Sequence, residues 1–172
     1  MEERLLLWIH EHSSPALDVA FFVSHAMGTL PFCAILVVTA ALWHRRRGER
    51  EAAWRWLALG AATFVLQEGI KAIVARPRPE LWPSLLPSSG AAFPSGHALA
   101  AATFYPLLAW SLSRARPRLA PWLWAAAVLL AVFVGVGRLY LGVHWPTDVA
   151  AGWTLGAAQT AVALAWKGRR RP

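Results

Sequence analysis

Three short stretches of this sequence combine residue types that can act on phosphorus. The run from Gly137-Arg138 through His144-Trp145-Pro146-Thr147-Asp148 sets an imidazole four residues before a carboxylate. Pro146 suits the first turn of a helix, where a missing N–H has no partner to lose. His144 then falls just ahead of that helix and Asp148 one turn into it, a separation at which side chains meet. A carboxylate that receives the N–H of one ring nitrogen fixes the tautomer and leaves the other nitrogen free. That is the orienter–base arrangement of catalytic triads, and it makes His144 a candidate nucleophile. A plain His/Asp helix cap satisfies the same spacing, and this stretch by itself leaves both readings open.

The second stretch, Phe93-Pro94-Ser95-Gly96-His97, stands at the start of an apolar run. A helix N-terminus offers unpaired N–H groups and the positive end of a dipole, which suits phosphate. Gly96 lets a ligand approach the backbone closely, and Ser95 adds a hydroxyl. An ordinary Ser-Gly helix cap is the bland alternative. The third stretch, Lys71 through Arg76-Pro77-Arg78-Pro79, supplies cations. Lys71 is a point charge, whereas Arg78 and Arg138 carry planar forks that match phosphate oxygens. The alternative here is a snorkelling lysine and arginines on anionic headgroups. Glu68, one turn before Lys71, is read as its structural counter-ion. Arg76 is read as either supporting the site from behind or facing lipid.

Together these stretches hold three cations, a helix N-terminus, an oriented imidazole and a second imidazole. The cations would neutralise phosphoryl oxygens, one imidazole would attack in line, and the other would protonate the leaving oxygen. There is no cluster of carboxylates for magnesium or calcium and no His/Cys quartet for zinc, so metal-independent chemistry without a cofactor is expected.

The elements that must position these residues are apolar. Of 172 residues 57% are apolar and only 15% charged, against about 25% charged in a soluble domain. That excludes an ordinary soluble fold, a disordered chain and a coiled coil. The net charge of +8 lies between long apolar runs, so a membrane rather than nucleic acid is the expected partner. Eleven tryptophans suit two membrane–water interfaces, and the single Cys33 excludes a disulfide within the chain. A bilayer core needs about 20 apolar residues in a helix. Five runs qualify as spans, near 19–43, 54–74, 97–113, 119–137 and 145–166, with Pro106 expected to kink the third. The expected fold is an all-α transmembrane bundle forming a single integral-membrane domain over 1–172. Residues 1–12 are too acidic and too short in their apolar part for a secretory signal. They are expected to form an interfacial helix with Leu5, Leu6, Trp8 and Ile9 in the headgroups.

Basic residues set the orientation. Arg45, Arg46, Arg47, Arg50 and Arg55 follow the first run, Arg114, Arg116 and Arg118 follow the third, and Lys167, Arg169, Arg170 and Arg171 close the chain. Alternation of spans puts these segments on one side, the cytoplasm. The C-terminus is then cytoplasmic, and the three polar stretches face outward from a plasma (inner) membrane.

In its three polar stretches the chain resembles the membrane-bound type 2 phosphatidic acid phosphatases. Their signature, K-x6-R-P, P-S-G-H and S-R-x5-H-x3-D, is met in order by Lys71 to Arg78-Pro79, by Pro94-Ser95-Gly96-His97, and by Arg138, His144 and Asp148. The departure is Gly137, where the family usually has serine, which removes one hydroxyl. The resemblance implies His144 as the nucleophile that forms a phosphohistidine, Asp148 as its orienter and His97 as the general acid. It implies that Lys71, Arg78, Arg138, Ser95 and the Gly96 backbone hold the phosphoryl group. The implied substrates are lipid phosphates or diphosphates of the undecaprenyl diphosphate, phosphatidylglycerol phosphate or phosphatidic acid type. A phosphotransferase using the same phosphohistidine, and a lipid-phosphate transporter without turnover, are the competing functions. The family often has six spans, so a shortened first helix is expected here.

Overall fold

The computed structural model describes residues 1–83, 86 and 89–166. The basic tail Lys167, Arg169, Arg170 and Arg171 lies outside the described residues. Among those described, the ordered elements are all helical: α1 (Glu2–Glu11), α2 (Pro15–Ala26), α3 (Leu30–Arg46), α4 (Arg50–Val74), α5 (Gly96–Ala115), a 3-10 turn at Pro117–Leu119, α6 (Ala120–Tyr140) and α7 (Pro146–Ala165).

The run expected as one span over 19–43 is two helices. α2 and α3 meet at Met27-Gly28-Thr29 with a bend of 52°. The cause is Pro31, which has no N–H to return to the carbonyl of Met27 one turn earlier. The Tyr105 hydroxyl, on α5, donates to that carbonyl instead at 2.9 Å. By length and composition, Arg50–Val74 and Pro117–Tyr140 can each cross a membrane, and the bent α2–α3 pair makes a third if it counts as one span. The sequence reading of five is thus finer than this criterion supports. α5 and α7 are 20 residues each, but small and polar side chains dilute their apolar character, because both helices pack against protein.

α5 is the axis of the bundle and is buried along most of its length. It packs against α6 on one side and α7 on the other, while α3 pairs with α4 and α2 lies on α6. Gly152 and Gly156 bring α7 against α5. A Cβ on Gly152 would lie 2.7 Å from the Ser95 carbonyl oxygen, and one on Gly156 2.5 Å from that of Leu99. Small residues four apart on an apolar helix permit this approach of backbones. At the far end of the bundle, buried His44 sits 2.6 Å from Glu49 and 3.0 Å from the Ser111 hydroxyl, which also accepts a bond from the Trp56 indole. These contacts gather Arg45–Arg50 and Arg114–Arg118 at the end away from His144.

α1 departs from its expectation in part. Leu5 and Trp8 are exposed as a headgroup helix requires, but Leu6 is fully buried in the protein. Ile9 packs on the cluster of Tyr140, Leu141 and Val143. α1 is therefore docked on the loop that carries His144.

Candidate active site

α6 runs to Tyr140, three residues beyond the expected end, so Arg138 projects from its last turn rather than from a loop. Gly142, at φ +66°, then turns the chain, and Pro146 starts α7 at its first position as the sequence implies. Asp148 is completely buried. Its Oδ2 accepts the Trp145 backbone N–H at 2.8 Å and lies 3.5 Å from His144 Nδ1. The cap reading is realised by that oxygen; His144 Nδ1 lies beside the same oxygen, as the orienter reading requires, but makes no hydrogen bond to it. The approach to His144 is longer than a good hydrogen bond.

The other ring nitrogen of His144 lies 3.3 Å from Arg78 Nη1. A guanidinium only donates, so His144 Nε2 is unprotonated and the ring proton sits on Nδ1, toward Asp148. The lone pair of Nε2 therefore points to the cationic side. Burial pushes the His144 pKa down, Arg78 and Arg138 add to this, and Asp148 works against it; the net value falls to about 4. A value that low keeps the ring neutral at physiological pH, the state that the expected role as nucleophile needs. Arg78 is fixed by donating to the carbonyls of Val143, Ser89 and Gly90 at 2.7, 3.2 and 3.1 Å. α4 has already ended at Val74, with Ala75 left-handed at φ 45°, so Arg78 reaches the site from an extended segment.

Ser95 precedes α5. Its backbone N–H donates to the Asp148 carbonyl at 3.0 Å, and its hydroxyl is buried without a hydrogen-bond partner. His97 Nε2 is likewise buried and unpartnered, as is Arg138 Nε. His144 Nδ1 makes a fourth such atom; buried polar atoms are rarely left unpaired, and four close together mark a candidate site for a polar ligand. The freedom expected of Gly96 has a different use. The Gln67 side chain occupies the space where its Cβ would be, although Gly96 still lines the site cavity. Lys71 pairs with Glu68 at 3.5 Å, as the sequence reading holds, and lines the same cavity.

Lys71, Arg78, Gly96, His97, Arg138 and His144 all border one cavity of about 480 Å³. Asp148, behind His144, and the fully buried Ser95 are both out of that lining. The cavity continues between α3 and α4 along Leu30, Cys33, Val37, Leu57 and Phe64.

The structure adds residues that the sequence reading leaves out. His25, at the end of α2, stacks on His97 with ring centroids 5.0 Å apart, and its Nδ1 accepts from Arg138 Nη1 at 2.6 Å. A lone imidazole inside an apolar run is itself a signal of function, and it stood in view. Gly28 allows the α2–α3 break to press on the His97 ring, which a Cβ would strike at 2.5 Å. Arg76 is not lipid-facing: its Nη1 donates to Asp148 Oδ1 at 2.7 Å. Beside Gly137, the space that a serine side chain would fill is taken by the buried hydroxyl of Ser24 from α2, which donates to the Phe21 carbonyl at 2.7 Å.

Fold and site together define a helical membrane protein with a cationic pocket built around two imidazoles. The model of the PAP2 superfamily matches residues 51–172, and the chain belongs to that superfamily. It is 40% identical over 95 residues to phosphatidylglycerophosphatase B of Bacillus subtilis, covering 54% of this chain and 46% of that protein. It is 45% identical over 65 residues to undecaprenyl-diphosphatase of Sulfolobus acidocaldarius, covering 38% of this chain and 28% of the other. The chain thus spans less than half the length of these two curated relatives. Its structure is similar to the crystal structure of a transmembrane PAP2 type phosphatidylglycerolphosphate phosphatase from Bacillus subtilis. The TM-score is 0.89 at 29% identity, covering 99% of this chain and 87% of the other.

Proposed function

We propose that the protein hydrolyses the phosphate or diphosphate of a membrane lipid through a phosphohistidine on His144. The observation that carries this reading is the single cavity in which a cationic, two-imidazole head opens into an apolar slot between α3 and α4. A headgroup phosphate fits the first part and a lipid tail the second, and a soluble phosphate ester would have no use for the slot.

In the first step His144 Nε2 forms a bond to phosphorus while the bond to the leaving oxygen breaks. That oxygen takes a proton from His97 and departs as a lipid alcohol, or as a lipid monophosphate from a diphosphate. In the second step water attacks phosphorus and gives its proton to His97, the P–N bond breaks, and phosphate leaves. Asp148 holds the ring and stabilises its positive charge while the phosphoryl group is attached. Lys71, Arg78, Arg138, Ser95 and the backbone at Gly96 bind the phosphoryl oxygens. The alcohol chemistry of the relatives' substrates differs, and both a glycerolipid phosphate and a prenyl diphosphate suit a narrow apolar slot.

We place α5 and α7 across the membrane as protein-enclosed spans, giving five crossings with the site on the outer face. The test is phosphate release in detergent from a panel of monophosphate and diphosphate lipids, with EDTA present. Turnover persists in EDTA, because Lys71 and the arginines carry the charge neutralisation, and His144→Ala lowers it by at least about a thousand-fold. Release by His144→Ala at the wild-type rate would remove the nucleophile and with it this mechanism.

A further inference from the structure

The catalytic carboxylate is not held by its own neighbourhood alone. Arg76 bridges two acids: Nη1 donates to Asp148 Oδ1 at 2.7 Å, and Nη2 donates to Glu2 Oε2 at 2.7 Å. The second oxygen of Glu2 accepts the Thr147 backbone N–H at 2.9 Å and the Thr147 hydroxyl at 2.7 Å. That N–H belongs to the first turn of α7, one of the groups a helix leaves without an internal partner. The Arg76 guanidinium also lies over the Trp145 ring, 5.3 Å from its centroid. Burial works against the charge of Arg76, but its bonds to Glu2 and Asp148 outweigh this and hold its pKa above the usual arginine value. Glu2 is carried by α1, which is seated by the buried Leu6 and by His10 stacked on Trp82 at 4.3 Å.

We infer that Glu2 is a positioning residue for the reaction: by occupying Nη2 of Arg76, it restricts that arginine to Oδ1 of Asp148 and leaves Oδ2 to His144. The physical reason is the geometry of the guanidinium fork, which engages a lone carboxylate through both nitrogens at once. With Glu2 absent, the second nitrogen of Arg76 loses its partner, and the other oxygen of the carboxylate that Nη1 already holds is open to it. The arginine would then compete with His144 Nδ1 for the oxygen that orients the imidazole. α1 is thereby part of the machinery that aims His144, through a contact that joins Glu2 to Thr147 across 145 residues of sequence.

This inference rests on His144 being oriented by Asp148, as the proposed function requires. Its test uses the full chain in detergent, with dioctanoyl phosphatidic acid and farnesyl diphosphate as probes. Wild type, Glu2→Gln, Arg76→Gln, the double variant and His144→Ala are compared, and the His144 Nδ1–H resonance is followed by 15N-edited NMR in wild type and Glu2→Gln. Glu2→Gln is expected to lower kcat about ten-fold with KM changed by less than about two-fold, because orientation is lost and binding is not. The double variant is expected to be no slower than Arg76→Gln, since Glu2 acts through Arg76. The His144 Nδ1–H resonance is expected to shift upfield as its bond to Asp148 weakens. Wild-type kcat in Glu2→Gln, a multiplicative loss in the double variant, or an unmoved resonance would each overturn the inference. If His144→Ala retains activity, the phosphatase mechanism fails, and the resonance alone then decides whether Glu2 governs the His144–Asp148 pair.

Discussion

At the scale of single residues, the site is built to keep one imidazole neutral beside cations. For the proposed attack His144 must carry a free lone pair, and it loses that pair when protonated. Burial, Arg78 and Arg138 all disfavour the charged ring, so its pKa lies near 4 rather than at the ordinary 6.5. As pH falls from 7, kcat/KM should therefore hold through the range in which an exposed histidine would charge, and fall only as pH approaches about 4. Arg78→Gln removes one of the cations that press the value down, so the acid limb moves upward, toward 6.5, along with a weaker phosphate interaction. A pH–rate profile of the two proteins checks the direction, and an acid limb at 6.5 in wild type would contradict the buried-ring account. The Gly137 position yields a second prediction. Ser24 fills the space of the usual serine, so Gly137→Ser alone forces two hydroxyls into one site and should destabilise the protein by roughly 1–3 kcal/mol. Adding Ser24→Gly should restore most of the loss, giving a coupling of similar size in a double-mutant cycle of thermal unfolding. The contrast between these residues explains what the sequence could reveal. His144 and Asp148 are one helical turn apart, so their pairing follows from local geometry. Ser24 meets Gly137, and His25 meets Arg138 across 113 residues, through a helix–helix contact that no spacing encodes.

At the scale of elements, the site depends on how closely α7 can approach α5. Ser95 caps α5, His97 lies in its first turn and Asp148 lies in the first turn of α7, so the distance between the two helices sets the distance between the proposed acid, nucleophile and orienter. The backbone bond from Ser95 to the Asp148 carbonyl, 3.0 Å, joins them at the site end. Gly152→Ala would drive a Cβ to 2.7 Å from the Ser95 carbonyl oxygen and 2.9 Å from the Ala98 Cβ. The helices must then separate, at a cost of about 1–3 kcal/mol. The expected result is a lower Tm together with reduced kcat, whereas Gly69→Ala, inside α4 where a Cβ meets nothing within 4 Å, should lower neither. Equal behaviour of the two variants would show that helix approach does not set the site. The glycines at 152 and 156 were readable as a small-residue pair, and Pro31 was readable as a helix start. What the sequence concealed was the consequence of Pro31, because the partner that rescues the Met27 carbonyl is Tyr105, on another helix. Apolar composition alone made 19–43 look continuous. The bend it hides is what lets Gly28 meet His97 and brings His25 over the site.

At the scale of the whole molecule, charge and chemistry are segregated to opposite ends of the bundle. One end holds His97, Arg138, His144 and the docked α1. The other holds the His44–Glu49–Ser111 network, with Arg55 and Arg114 stacked on Trp110 at 4.9 and 5.1 Å. Arg45, Arg46, Arg47, Arg50, Arg116 and Arg118 belong to that second end, and the tendency of arginine to be retained on the cytoplasmic side predicts that it faces inward. Under the proposed function the cations of the site are an exception to topogenesis, and a phosphorylated headgroup at the outer interface would be what requires them there. Cysteine labelling tests this directly, since Cys33 is the sole cysteine and is buried. In a Cys33→Ala background, Glu80→Cys marks the site end and Ala115→Cys the opposite end, both at exposed positions. A membrane-impermeant maleimide applied to intact cells should modify Glu80→Cys at once and Ala115→Cys only after permeabilisation. The reverse pattern would turn the site toward the cytoplasm and confine it to lipid phosphates of the inner leaflet. Modification of both in intact cells would mean that the basic end is not retained inside, and the five-crossing arrangement would fall with it.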